Sequence, residues 1–261
     1  MGKIIAVANQ KGGVGKTTTT INLAASFAAM KRNVMLIDLD PQGNATVGSG
    51  VYKDQIKYAS HQVLCEEASI TDALIPTESG YDLIATNQEL IVAEMQLLHA
   101  PNRERRLEGI LKPVLKNYDY ILIDCPPSLS VLTVNALVAA DSVLIPIQCE
   151  YFALEGLSAL LKTVEQIRTT INPKLQIEGL LRTMYDGRNR LALDVSAQLL
   201  AHFPDRVYRT VIPRNVRLAE APSHGTPVIN YDEKSQGAVA YLALAGEILR
   251  REEERTAAAV A

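Results

Sequence analysis

The stretch Lys11-Gly12-Gly13-Val14-Gly15-Lys16-Thr17-Thr18 restricts this chain more than any other part of its sequence. A β-branched run, Lys3–Ala8, leads into it. An amphipathic pattern, Lys16–Met30 with apolar residues at 21, 23, 24, 27 and 28, leads out of it. A glycine-rich turn between a strand and a helix, closed by Gly-Lys-Thr, is the pattern of a phosphate-binding loop. Gly12, Gly13 and Gly15 let backbone N–H groups close around phosphate oxygens, and the helix start adds the positive end of its dipole. Lys16 is expected to reach β- and γ-phosphates, Thr17 to ligate Mg²⁺ and Thr18 to donate to an α-phosphate, with Val14 completing the cradle. A dinucleotide fingerprint is disfavoured, because Lys16-Thr17-Thr18 stands where its third glycine is needed.

The loop also departs from the usual G-x-x-x-x-G-K-[ST]. Gln10 occupies the first glycine position, and Lys11 follows it. Lys16 already serves the phosphates of its own chain. Lys11 can therefore point outward and reach the γ-phosphate held by a second, facing subunit, as an arginine finger does. A solvated surface lysine is the alternative.

Short apolar runs alternate with longer helical patterns along the 261 residues. Val34–Ile37, Tyr81–Ala85, Tyr120–Ile123, Ser142–Pro146 and Ile177–Leu181 read as further strands. Helices are expected near 88–98, 103–116, 153–171, 190–202 and 235–254, with 204–230 as a loop-rich stretch and "REEERTAAAVA" as a fraying helix end. Strands apolar on both faces, separated by helices, imply an α/β doubly wound, mostly parallel sheet covered on both sides. No Gly/Ser/Pro-rich linker interrupts the chain, so residues 1–261 are expected to form one domain carrying the phosphate loop, without an N-terminal helix-turn-helix domain.

Two strand ends carry carboxylates. "LIDLDPQGN" places Asp38 and Asp40 where a parallel strand turns away, and Asp40 is the candidate for orienting an attacking water, supported by Asp38. Asp before Pro is also ordinary turn chemistry, which leaves a purely structural role open. "YILIDCPPS" ends in Asp124, a candidate for holding Mg²⁺ through water. The cysteines Cys65, Cys125 and Cys149 have neither disulfide nor metal spacing. With no signal segment legible and no run of 18 apolar residues, a cytoplasmic protein is expected.

These motifs, together with "CEYFALEGL" and "VIPRNVRLAEAPSHG", resemble the deviant-Walker P-loop ATPases, and within them the chromosome-partitioning ParA/Soj branch. The resemblance spans nearly the whole chain. It implies an ATPase using ATP and Mg²⁺, with Lys11 acting across an ATP-sandwich homodimer and Asp40 positioning water. Pro213 and Asn215 would lie near the adenine. A ParB-like centromere-binding partner with a basic N-terminal segment would stimulate hydrolysis, and the protein would associate with the nucleoid.

Residues 182–217 contain seven arginines, no lysine and three aspartates, in a chain whose net charge is −3. A basic segment on an acidic body fits phosphate-backbone contact, and no base-reading motif accompanies it, so non-specific duplex DNA is the expected ligand. By the resemblance, Arg188, Arg214 and Arg217 carry it. Intramolecular ion pairs are the alternative for each. A membrane-associated division-site-positioning relative would need a basic amphipathic C-terminus, whereas "EILRREEERTAAAVA" is acidic. A metabolic P-loop kinase or ligase would need a second-substrate pocket that no motif names.

Overall fold

The computed structural model describes residues 2–260. Eight strands, β1 (Lys3–Val7), β2 (Val34–Asp38), β3 (Leu74–Pro76), β4 (Asp82–Ile84), β5 (Tyr120–Asp124), β6 (Ser142–Gln148), β7 (Gln176–Tyr185) and β8 (Val207–Pro213), form one sheet. Their order is β3-β4-β2-β5-β1-β6-β7-β8. Every pairing is parallel except that of β3 with β4 at one edge. The helices are α1 (Lys16–Ala29), α2 (Asn44–Gly48), α3 (Ser60–Leu64), α4 (Leu90–Leu97), α5 (Arg106–Leu111) and α6 (Val131–Ala139), then α7 (Ala153–Thr170), α8 (Arg190–His202), α9 (Val216–Glu220), α10 (Val228–Tyr231) and α11 (Gln236–Val260).

Period-two alternation along the strands splits the core into two layers. Ile4 and Ala6 of β1 join α3 to α8 on one face, whereas Ile5 and Val7 join α1 and α11 on the other. The central strands β2 and β5 are buried throughout, which is why their sequences are unbroken apolar runs. Helix α1 leaves β1 on one face and α6 enters β6 on the other. The winding therefore reverses around β1, and its carboxyl end opens into the crevice where such sheets bind ligands.

Three expectations need correction. Residues 204–230 are not loop: they hold the edge strand β8 and the short helices α9 and α10. The helix expected over 103–116 is α-helical only at Arg106–Leu111, between two 3₁₀ turns. The last helix, expected over 235–254, is longer, because α11 continues to Val260.

Two glutamates dock α11 on the sheet. The Tyr120 hydroxyl donates to Glu252. Buried Glu247 accepts the backbone N–H groups of Arg209 and Thr210 of β8, each at 2.9 Å, and Arg251 Nη2 at 2.8 Å. Burial alone would raise the Glu247 pKa, but these donors outweigh it and hold the carboxylate below its usual range. Glu247→Ala leaves two edge-strand N–H groups and a guanidinium short of an acceptor, and is expected to cost about 3 kcal/mol in urea unfolding. Because the folded pKa is depressed, this contribution is present above the unfolded carboxylate value of about 4.3 and disappears as pH falls through the lower folded value. The gap between wild type and variant therefore narrows in acid titration.

Candidate functional site

The phosphate loop leaves β1 at the sheet's crevice and is shaped by its own backbone. Gly13 (φ 74°) and Gly15 (φ 85°) adopt left-handed conformations that favour glycine, and Gly15 immediately precedes the first residue of α1. Asn9 fixes the loop entrance, donating from Nδ2 to the Pro146 carbonyl of β6 (2.7 Å) and accepting the Lys11 N–H (3.0 Å). The Thr183 hydroxyl, from β7, donates to the Val14 carbonyl at 2.8 Å. Lys16 folds back over the loop so that Nζ donates to the Lys11 carbonyl (3.3 Å). Burial lowers the Lys16 pKa, opposed by the negative charges of Asp124 and Asp40.

Beside the loop, Asp124 of β5 lies in register with both Val7 and Asp38. Its oxygens accept the Thr17 hydroxyl (2.7 Å) and the Thr20 hydroxyl (3.1 Å). Asp38 is fully occupied in structure: Oδ1 accepts the Asp40 N–H (3.1 Å), and Oδ2 accepts the N–H (2.8 Å) and hydroxyl (2.7 Å) of Thr46. It ties down the turn that carries Asp40. Burial pushes both Asp38 and Asp124 well above the usual carboxylate range, and for Asp124 the neighbouring Asp38 charge adds to it. Two buried acids on adjacent strands ionise together only with cationic help. Lys16 is one source. Thr17 and Asp124 form a hard-oxygen pair of the kind Mg²⁺ takes from a protein when phosphates and water supply its other ligands, so the residues present fit that ion.

Lys16, Thr17, Thr18 and Asp40 line one cavity of about 490 Å³ together with Gly12, Gly13 and Gly15. Its far wall is Ile212, Pro213, Arg214, Asn215 and Leu218, with Met184 held at φ 46° beside it. One end is therefore the glycine-rich loop with Lys16, and the other is partly apolar. Asn215 Oδ1 caps α9 by accepting the Leu218 N–H (3.4 Å), so its side chain is partly committed to the fold. A larger recess, about 710 Å³, opens near Arg32 and Tyr118, but in its lining Arg32 and Lys116 are outnumbered by Asp119, Glu252 and Glu253, and it contains no phosphate loop.

Lys11 lies outside the cavity lining. It pairs with Glu150 of its own chain at 2.5 Å, both side chains being near half exposed at 40% and 46%. Glu150 follows β6, the neighbour of β1, so the sheet order makes this contact. Tyr151 (77% exposed) and Phe152 (65%) follow directly and stack edge to face at 5.0 Å. Asn9, Thr183 and Glu150 escaped the sequence reading, since no local pattern marks a side chain whose partner is 139 or more residues away in the cases of Glu150 and Thr183.

The basic segment is less uniform than its composition suggests. Arg182 is buried, donating to the Ser196 hydroxyl (2.9 Å) and the Tyr208 carbonyl (2.8 Å), and does not belong to a surface patch. Arg188 is exposed and pairs with Asp186 (2.8 Å), and Arg217 pairs with Glu220 (2.8 Å) and Asp232 (3.3 Å). Arg214 has no carboxylate within 4 Å among the described residues and lines the cavity. All three follow the carboxyl ends of β7 and β8, on the edge that also carries the phosphate loop.

A doubly wound parallel sheet with this loop at its switch point defines a P-loop ATPase of the deviant-Walker type. A protein-family model described as an AAA domain matches residues 2–177. The chain is 52% identical over 249 residues to the sporulation initiation inhibitor protein Soj of Bacillus subtilis, covering 95% of this chain and 98% of that one. It is 50% identical over 260 residues to the chromosome partitioning protein ParA of Caulobacter vibrioides, covering 98% and 97%. Among solved structures it resembles the cobyrinic acid a,c-diamide synthase of Mycobacterium smegmatis with bound ADP and magnesium, with a TM-score of 0.85, 37% identity and coverage of 97% and 96%. The chain belongs to the ParA/Soj family of chromosome-partitioning ATPases.

Proposed function

We propose that the protein is a DNA-partitioning ATPase whose ATP-bound form is a sandwich homodimer that holds duplex DNA without sequence preference. The observation that carries this reading is the convergence of Lys16, Thr17, Asp40 and the Asp124 hydrogen bond on one cavity at the sheet's switch point. In this reading Lys11, Lys16 and Asp40 are catalytic. The loop from Lys11 to Thr18 binds the phosphates, Pro213 and Asn215 flank the base, and Thr17 and Asp124 hold Mg²⁺. That ion would supply charge neutralisation at the phosphates. Lys16 contributes a fixed positive charge there, and Asp40, whose backbone N–H is anchored on Asp38, orients water.

Lys11 has to leave Glu150 to serve a facing subunit. An ion pair this exposed is worth less than about 1 kcal/mol, so the cost of release is small. The exposed Tyr151–Phe152 pair beside it supports a second copy covering this edge. Glu150→Gln is expected to tighten ATP-dependent self-association by no more than about fivefold, read by sedimentation equilibrium.

Arg188, Arg214 and Arg217 are the proposed DNA contacts. The pairs of Arg188 and Arg217 are exposed and weak, so duplex phosphates can replace their carboxylates. Dimerisation would double the phosphates neutralised and steepen the salt dependence in proportion. A ParB-like, centromere-binding partner would stimulate hydrolysis and release the DNA, giving a nucleoid-associated protein. Among the described residues no helix is long and apolar enough to cross a membrane, and the glutamates of α11 that face the sheet give that helix a structural task. The rival reading, a metabolic ligase, draws on the name of the mycobacterial synthase, but identity to that protein is 37% against 50–52% for the partitioning proteins.

The test is mass. Sedimentation with a slowly hydrolysed ATP analogue and Mg²⁺ should give twice the ADP-state mass. A monomer in both states would sink the sandwich reading.

A further inference from the structure

Helix α4 buries Leu90, Ala93 and Leu97 in the core beside α3 and α6 and turns a second apolar face to solvent. Ile91 (49% exposed), Val92 (56%), Met95 (65%) and Leu98 (48%) form it. The spacing 91, 95, 98 is a continuous helical stripe, with Val92 widening it. Three large apolar side chains on one short helix, with a fourth at its C-cap, are not the scattered exposure common on protein surfaces; a contiguous patch marks a contact surface.

The surroundings of that stripe are acidic. From Tyr58 to Asn102 the sequence has seven Asp or Glu and no Lys or Arg, the most one-sided stretch of the chain. Glu89 and Glu94 flank the stripe on opposite sides of α4, with the Glu89 side chain 71% exposed although it meets His61 at 2.9 Å. Glu66 and Glu67 approach from the end of α3, where Cys65 Sγ donates to Gln96 Oε1 at 3.5 Å. Arg106 offsets Glu66, and Arg103, which caps the Leu98 carbonyl, is matched by Glu104. The rim therefore keeps a negative field around an apolar centre.

We infer that the outer face of α4 is a docking site for a basic amphipathic helix of a protein partner. The apolar stripe selects a helix with anchors at i, i+4 and i+7, and the acidic rim selects lysine or arginine at its flanks. Met95 gives the centre a side chain that adapts to different anchors. The same rim repels an anionic lipid surface, and self-association through this face would set Glu89 and Glu94 against their own copies. The inference concerns the single chain, and stands apart from the dimer and DNA readings.

The probe is a labelled designed peptide of about five helical turns, with a leucine stripe flanked by lysines, and a counterpart with glutamates in place of the lysines. Anisotropy with the full-length protein should show the lysine peptide binding at least about tenfold tighter, with the difference shrinking at about 0.5 M salt. Ile91→Glu with Met95→Glu, both solvent-facing and compatible with helix, should weaken it by at least about tenfold. Amide exchange protection should fall on residues 89–99. Equal binding of the two peptides, no binding, an unchanged affinity in the double variant, or protection elsewhere would overturn the inference. So would a nucleotide-independent dimer that the double variant dissociates, or sedimentation of wild type but not the variant with vesicles containing anionic lipid.

Discussion

Lys11→Ala is expected to reduce ATP turnover by about 10³-fold, the lower end of what a cation supplied across a subunit boundary contributes to phosphoryl transfer. The reasoning is geometric. In the isolated chain Lys11 Nζ lies against Glu150 and outside the cavity, whereas Lys16 is buried with its Nζ folded over the loop. In the proposed reading Lys16 serves the nucleotide of its own chain, which leaves Lys11 for the facing subunit. The alanine variant should accordingly bind nucleotide within a few-fold of wild type and fold with unchanged stability, since the lost pair is exposed. Steady-state phosphate release and nucleotide fluorescence titration separate the two quantities. Loss of nucleotide affinity matching the loss of turnover would mean that Lys11 acts within its own subunit.

Asp40→Ala is the second large effect. Asp40 lines the same cavity as the phosphate loop, and its Oδ1 accepts only the Gln42 N–H, at 3.0 Å, among the described residues. Asp38 spends both oxygens on Asp40 and Thr46. One carboxylate thus holds the turn, and the other keeps an oxygen for a water molecule. Removing a group that positions or deprotonates a nucleophile costs about 10²–10⁴-fold in the chemical step. ATP binding and dimer formation should survive, because neither requires that carboxylate. The expected phenotype is a long-lived ATP state, seen as slow phosphate release with retained analogue affinity. Normal turnover in Asp40→Ala would assign the water to another residue.

Sequence patterns exposed what lies contiguous in the chain and missed what the sheet brings together. The central strands were legible because β2 and β5 are apolar on both faces and stop at a carboxylate. Strand β8, "VYRTVIP", was not: its residues favour a strand, but it is a half-exposed edge strand that ends in Pro213 within a stretch punctuated by proline and charge. Helix α6 has apolar residues on nearly every side and therefore no amphipathic period to detect, although Ser130 caps it by accepting the Leu132 N–H. The phosphate loop was readable to the residue. Its supports were not, because Asn9–Pro146, Thr183–Val14 and Lys11–Glu150 exist only once β6 and β7 are ordered beside β1. Charge counting failed in a similar way at Arg182, whose guanidinium is consumed inside the fold between α8 and β8.

The central claim is that ATP couples self-association to DNA binding through Lys11, and one measurement addresses it most directly. A mobility shift on arbitrary duplex DNA, with ATP, ADP or no nucleotide, should retard the DNA only with wild type and ATP. It should fail for Lys11→Ala in every nucleotide state, and retardation should weaken steeply as salt is raised. Equal retardation in all nucleotide states, or undiminished binding by Lys11→Ala, would contradict the account by separating the arginine-bearing edge from the nucleotide site.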